Sequence, residues 1–191
     1  MPPRDPTDEQ GVQPVLLTDT ETETPSPGGL DALDETPAAR VIERAVAFRL
    51  AGQLYGLPID VVQEIQQLAE LLPLPDDAPA LVGLIELRGA VVPVLDLRSL
   101  VGLEDAPYTL ETPMVFCRAS GHQVCLVVDS VEDVVDLPPD GVQQPSALYT
   151  LADRMLGTVK LGQGVLMLLD IDRLVPTAAL AVAEAQEVVD R

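Results

Sequence analysis

The strongest constraint on this chain is a stretch that is written twice. Gly83-Leu-Ile-Glu-Leu-Arg-Gly-Ala-Val-Val-Pro-Val-Leu-Asp-Leu-Arg-Ser-Leu-Val101 returns as Gly157-Thr-Val-Lys-Leu-Gly-Gln-Gly-Val-Leu-Met-Leu-Leu-Asp-Ile-Asp-Arg-Leu-Val175. At a constant spacing of 74 residues, Gly83 to Gly157, the residues Leu87, Val91, Leu95, Asp96 and Leu100 meet Leu161, Val165, Leu169, Asp170 and Leu174. A second echo precedes each copy. Leu57-Pro-Ile-Asp-Val-Val-Gln-Glu-Ile65 matches Leu126-Val-Val-Asp-Ser-Val-Glu-Asp-Val134 at a spacing of 69, and Val46, Arg49 and Gly52 meet Val115, Arg118 and Gly121. Such self-similarity marks an internal duplication, with one β unit from about Ala45 to Val101 and another from about Met114 to Val175.

Each copy reads as a hairpin. Gly89 supplies the positive φ that a tight reversal after Arg88 needs. Ala90 to Leu95 is almost wholly apolar, which predicts a strand buried on both faces. Pro93 cannot donate to a ladder and is expected at an edge or a bulge. Asp96 and Asp170 each stand where a side chain would cap a short helical turn.

The rest of the chain follows the same grammar. Strands are expected at Ala45–Leu50, Gln53–Leu57, Val61–Ile65, Met114–Ala119, His122–Val128, Ser130–Asp136, Met155–Leu161 and Val165–Leu169. Pro58-Ile59-Asp60 should form a short helical turn, and Asp76 to Pro79 a loop. Gln143 to Asp153 is irregular. Thr177 to Val189 is Ala-rich, with apolar Leu180, Ala183 and Val188, and predicts a terminal helix within residues 177–191. Residues 1–43 are rich in Pro, Thr, Asp and Glu, a composition that cannot offset chain entropy by burial, so an acidic disordered tail is expected. A short helix is expected over Ala38 to Arg44. The fold class expected is mainly β: two small five-stranded barrels, together residues 44–176, that share a hydrophobic junction.

Composition limits the partners. The formal charge is −20, from 31 acids against 11 bases, which argues against nucleic acid and anionic lipid and permits partners with basic surfaces. No apolar run reaches the length of a membrane span, so no membrane insertion is expected. The opening Met-Pro-Pro-Arg-Asp-Pro has no apolar h-region, so a cytoplasmic protein is expected. Cys117 and Cys125 fall on adjacent strands and read as reduced core thiols. One histidine, His122, gives no metal shell, and neither metal nor cofactor is expected.

Asp96 and Asp170 come from equivalent places in a duplicated β fold, as a two-aspartate hydrolase would require. They are followed by Leu97-Arg98 and Ile171-Asp172, which are too bulky for a substrate to approach the backbone, so the capping role is preferred. No nucleophile has a base in reach, and no phosphate loop or dinucleotide fingerprint is present. The chain reads as a non-enzyme. Arg88 differs from these scaffold residues: its counterpart is Gly162, so the fold does not demand an arginine there, and a bidentate anchor for a partner is the alternative to a solvated charge. Glu64 follows Val62 by two, which predicts that both point to one face of their strand.

At these residues the sequence resembles the CheW family of chemotaxis coupling proteins. Gly83-Leu-Ile-Glu-Leu-Arg-Gly-Ala-Val-Val-Pro-Val-Leu-Asp-Leu-Arg98 is similar to the family's Gly-x-x-Asn-Leu-Arg-Gly-x-Val-x-Pro-Val-x-Asp-Leu-Arg hallmark, with Glu86 in place of the usual Asn. Tyr55 to Ile65 and Val127-Val128-Asp129 match two further signatures, although Cys125 stands where the family often has Gly. The resemblance implies two SH3-like five-stranded barrels and a non-catalytic adaptor. It implies coupling of the cytoplasmic tips of methyl-accepting chemoreceptors to the regulatory domain of a CheA-type histidine kinase. Val62, Glu64, Gly83, Arg88 and Val134 fall on the family's partner-contact positions, and Val62 and Val134 are expected at matched places in the two units. A regulatory module of another two-component pathway, such as surface motility or gene regulation, is the alternative.

Overall fold

The computed structural model describes residues 42–73 and 80–189, the last four as backbone only. The expected tail falls outside these residues up to residue 41, as do the Asp76–Pro79 loop and most of the Ala38–Arg44 helix. At its described end that segment is not helical, because Arg44 already belongs to a strand.

Among the described residues the chain forms eleven strands: β1 (Arg44–Leu50), β2 (Gln53–Pro58), β3 (Val62–Gln67), β4 (Leu81–Leu87), β5 (Ala90–Asp96), β6 (Pro113–Ala119), β7 (His122–Val127), β8 (Ser130–Asp136), β9 (Val142–Gln143), β10 (Met155–Leu161) and β11 (Gly164–Leu169). Helical turns α1 (Leu97–Leu100) and α2 (Ile171–Leu174) follow β5 and β11, and α3 (Thr177–Val189) closes the chain. The expected mainly-β fold with two subdomains is what the chain adopts. One sheet has five strands, and the other gains a sixth from the two-residue β9.

The sheets do not follow the sequence halves. The six-stranded sheet runs β8-β1-β2-β11-β10-β9 and the five-stranded sheet β3-β6-β7-β5-β4. Each half therefore gives its first hairpin to the other half's sheet, and subdomains of contiguous residues 45–101 and 114–175 are not what the strand pairing builds. A single 3-10 turn, Ile59–Val61, carries the chain from one sheet to the other, and Val128-Asp129 carries it back. Parallel ladders seat each exchanged hairpin, β2 on β11 and β7 on β5.

This exchange explains why the strands are apolar on both faces. Alternate residues of one strand enter different cores. On β6, Phe116 joins Ile85, Val92, Val94 and Cys125 inside the five-stranded subdomain, while Cys117 faces the junction. On β1, Ala47 joins Leu54, Val159, Leu166 and Leu168 inside the six-stranded subdomain, while Phe48 faces the junction. The junction core unites Phe48, Leu57, Leu95, Val115, Leu126 and Leu169, and Ala179 of α3 packs on it. With no Trp available, Phe48 and Tyr55 form its aromatic centre, as a cross-strand pair with ring centroids 6.3 Å apart. Burying such a side chain contributes about 1.5–3 kcal/mol.

Pro93 corrects one expectation. It lies on β5, which is flanked by β4 and β7 and is not an edge strand. The ladder to β7 begins at Val94, one residue beyond, so the missing N–H falls where that ladder has not yet started.

Hairpin turns occur where glycine allowed them. Ala51-Gly52, Arg88-Gly89 and Ser120-Gly121 all carry positive φ at both positions, the two-residue geometry that matches strand twist. Gly83 and Gly157 serve a different need, since a Cβ at either would meet a crossing backbone carbonyl, Leu72 O at 3.0 Å or Gln143 O at 2.6 Å. Both capping aspartates work as expected. The Asp96 carboxylate accepts from the Arg98 N–H at 2.7 Å, and that of Asp170 accepts from the Asp172 N–H at 3.1 Å.

Candidate partner-binding site

The site is built around the turn between β4 and β5. Leu87 pairs with Ala90, so Arg88 and Gly89 form the whole loop, and Arg88 takes φ 55°. Its side chain is 79% exposed, and its Nη2 donates to the Glu64 carboxylate at 2.5 Å. Glu64 sits on β3, an edge strand of the same sheet, with β4 at the opposite edge. The ion pair thus links the hairpin tip to the opposite edge of the sheet, in addition to the backbone pair of Leu72 with Leu84 that joins the chain beyond β3 to β4. One guanidinium nitrogen is used there, and the rest of the fork is presented outward.

The strand that carries Glu64 is kinked. Val62 pairs with Cys117 but Glu64 pairs with Phe116, so Gln63 is the extra residue of a bulge. Neighbouring residues on β6 face opposite sides of the sheet, so Val62 and Glu64 do as well. The expectation that they share a face fails at this bulge. Val62 packs half-buried against the junction core, whereas Glu64 turns toward Arg88.

Val134 lies on β8, the edge of the other sheet, and is 43% exposed. Its counterpart is not Val62. Val134 pairs with Val46, and Ile65 pairs with Val115, which is the duplicate of Val46. Ile65 is 42% exposed, nearly the value for Val134. Val62 instead matches Val131, and both pack against the junction core. The duplication therefore places two matched apolar side chains, Ile65 and Val134, on two edge strands. The spacing of 69 residues equates Val134 with Ile65, and this places the matched pair one turn of the alternation beyond Val62. Gly83 is buried beneath Leu71 and Leu72, so it enters the site through that close packing and not as an open surface.

Two acids near the junction, Asp129 and Asp172, tie hairpin turns of one sheet to helical turns that follow strands of the other. Asp129 accepts from the Ala51 N–H at 2.8 Å and from Arg98 Nε at 2.6 Å, tying the β1–β2 turn to α1. Burial draws the Asp129 pKa upward, but the Arg98 hydrogen bond, the Ala51 N–H and the Arg98 charge outweigh it and leave the carboxyl below its ordinary value. Asp172 accepts from the Ser120 N–H at 2.5 Å, tying the β6–β7 turn to α2. The two turns are duplicates, but the two acids are not: Asp172 occupies the place of Arg98. Beside this clamp, a cleft of about 260 Å³ lies between the linker and the five-stranded sheet, lined by Asp96, Arg98, Tyr108 and Asp129. The Tyr108 hydroxyl donates to Asp96, which is only 4% exposed. Leu72, Leu110, Leu148, Tyr149 and Val165 are further exposed apolar groups, Leu148 and Tyr149 within the segment expected to be irregular.

Comparison with known proteins agrees with this architecture. The CheW-like domain family matches residues 44–179. The chemotaxis protein CheW of Klebsiella aerogenes is 28% identical over 158 residues, covering 82% of this chain and 95% of that protein. That of Treponema pallidum is 30% identical over 138 residues, covering 68% and 79%. Protein FrzA of Myxococcus xanthus is 27% identical over 143 residues, covering 73% and 89%. The crystal structure of the scaffolding protein TtCheW from Thermoanaerobacter tengcongensis superposes with a TM-score of 0.66 at 24% identity, covering 72% of this chain and 94% of that one, which is a likeness of fold.

Proposed function

The chain belongs to the CheW-like domain family, whose members are non-catalytic adaptors, and we propose that it couples chemoreceptors to a CheA-type histidine kinase in a chemosensory array. The partners in this reading are the cytoplasmic tip of a methyl-accepting receptor and the kinase regulatory domain, met in the cytoplasm. Among the described residues no helix is long and apolar enough to cross a membrane.

The observation that carries the proposal is the exposed Arg88 fork braced by Glu64 at the tip of the family's hallmark hairpin. A guanidinium fixed by one carboxylate keeps donors free for a second acceptor while its position is held, which favours register over raw affinity. Val134 and Ile65 add apolar area beside their edge strands, and Val62 and Gly83 support the surface from beneath. Ile65 and Val134 lie on the edge strands of two different sheets, so each subdomain can offer a partner its own apolar contact.

The test is co-sedimentation of the purified chain with receptor tips and kinase. Arg88→Ala should abolish recovery in the pellet with the circular dichroism and melting curve preserved. Normal coupling by that variant would remove the anchor role. A second reading, a CheW-like module of another two-component pathway, draws on the likeness to FrzA, and it would be favoured if the chain bound a kinase but no chemotaxis receptor.

A further inference from the structure

The two capping aspartates are equivalents, but their second oxygens are satisfied differently. That of Asp170 meets Arg173 of its own helical turn at 3.3 Å. That of Asp96 accepts from the Tyr108 hydroxyl, which belongs to the linker between the two halves of the sequence. The copy caps its turn with no linker residue, so the Tyr108 contact is an addition to the fold and not a requirement of the cap. It is also the linker's central fastening. At one end Arg98 Nη1 donates to the Glu104 carbonyl at 3.1 Å, and at the other the Thr112 carbonyl accepts from the Leu68 N–H at 2.8 Å. Between these points, among the described residues, the Tyr108 hydroxyl alone ties residues 105–111 to the body of the fold by a hydrogen bond. None of them joins a hydrophobic core, and Leu110 is 83% exposed. The space beneath is open. The cleft of about 260 Å³ shares Asp96, Ala106 and Tyr108 with a second hollow of about 350 Å³, lined also by Leu81, Ser99 and Asp105. Tyr108 stands between the two as a post, with its foot on a buried carboxylate.

We propose that residues 105–111 form a strap that lifts off as a unit, pivoting near Glu104 and Thr112 when the Tyr108–Asp96 hydrogen bond breaks. Lifting joins the two hollows into one trough and uncovers Asp96, while both sheets stay paired. The exchanged hairpins make this possible. β1 and β2 pair with β8 and β11, and β6 and β7 pair with β3 and β5, so the halves hold each other whether or not the linker lies flat. A segment with little buried apolar area and one anchoring bond belongs to the low-stability end of a fold, which opens without the rest.

The full chain carries its own sites for the test. Glu104 and Glu111 bracket the strap, and a glutamate-specific protease must seat several extended residues around each before it cuts. Fragment masses separate these cuts from cuts elsewhere. In wild type, cutting should be nearly independent of urea below the unfolding midpoint, because lifting exposes little surface. Alkylation of the buried Cys117 and Cys125 should rise steeply over the same range. Tyr108→Phe should speed the cuts about tenfold, the worth of one hydrogen bond to a charged group, with the same flat urea dependence. The cut chain should remain one species on gel filtration with both thiols protected. Wild-type cutting that climbs with urea as steeply as alkylation would overturn the proposal, since the segment would then leave only on global unfolding. That measurement uses no variant and stands whatever the yield of Tyr108→Phe. A Tyr108→Phe rate within about twofold of wild type, or halves that separate once cut, would overturn it as well.

Discussion

Arg88 and Glu64 are 24 residues apart in sequence, yet their side chains meet at 2.5 Å, the hairpin tip reaching the edge strand at the opposite side of the five-stranded sheet. The pair is exposed on the arginine side, so solvent screens it and its share of stability is small. Arg88 also occupies φ 55°, which is costly for a residue with a Cβ. Both arguments lead to the same expectation. Arg88→Ala should change the unfolding free energy by about 1 kcal/mol or less, and Arg88→Gly should be neutral or slightly stabilising because glycine fits the turn. Both variants should lose partner binding. A large fall in melting temperature for Arg88→Gly would show instead that the pair is a structural rivet.

The Asp129 clamp sets an acid limb in stability. Its carboxyl lies below the ordinary value when folded, so its contribution is complete above the ordinary carboxylate range and is lost as pH falls through that range toward the lowered value. Asp129→Asn should flatten the fall in melting temperature between about pH 5 and pH 3. It should cost about 1 kcal/mol at neutral pH, a modest figure because the group is partly exposed.

Tyr108 sets the opposite limb. Burial, and then the hydrogen bond to Asp96 and the charge of Asp96, raise its phenol well above the ordinary value. A raised folded pKa gives a contribution that is complete below the unfolded pKa of about 10 and is lost as pH rises beyond it. Tyr108→Phe should shift the alkaline unfolding midpoint and, by leaving the buried Asp96 oxygen without its donor, cost about 1–3 kcal/mol at neutral pH. Melting curves of this variant and wild type from pH 7 to about pH 11 would test it.

These cases also mark what could be read from the residues alone. Hairpins, caps and the terminal helix were legible because each is written in a few adjacent positions: Arg88-Gly89, Asp96 before Leu97, Thr177 onward. The duplication was legible because spacing is preserved. It could say which residues are equivalents, but not whether each hairpin pairs within its own half or with the other. The exchange of β1–β2 and β6–β7 is a choice between two pairings with nearly the same local pattern, and the short Ile59–Val61 link is where the chain crosses from one sheet to the other. The site shows the same limit. Arg88 stood out because its duplicate is Gly162, whereas the bulge at Gln63 reversed the facing of Glu64 and could not be read from alternation.

The two close-approach glycines should respond unequally. A Cβ at Gly157 would lie 2.5 Å from Val142 Cγ1 and 2.6 Å from Gln143 O, while one at Gly83 would lie 3.0 Å from both Leu71 Cβ and Leu72 O. Gly157→Ala must push β9 off β10, at a cost of about 1–3 kcal/mol, and Gly83→Ala should fall at or below the lower end of that range. Gly162→Ala, in open space, should be nearly neutral. Denaturant melts of the three variants would rank them, and a cost for Gly162→Ala equal to that for Gly157→Ala would contradict the packing argument.

Cys117 and Cys125 offer a probe of cooperativity. They lie on neighbouring strands, but Cys117 pairs with Val124 and Cys125 with Phe116, so their side chains enter different cores. No disulfide can join them without turning a strand over, and both are free and buried. Burial raises both thiols well above their ordinary value, which leaves little reactive thiolate at neutral pH. Alkylation should therefore be slow in the native chain and should track global unfolding, with both thiols modified at the same denaturant midpoint. Because Cys117 reports the junction and Cys125 the interior of one subdomain, modification of Cys117 at a lower midpoint would reveal that the two subdomains part before either unfolds.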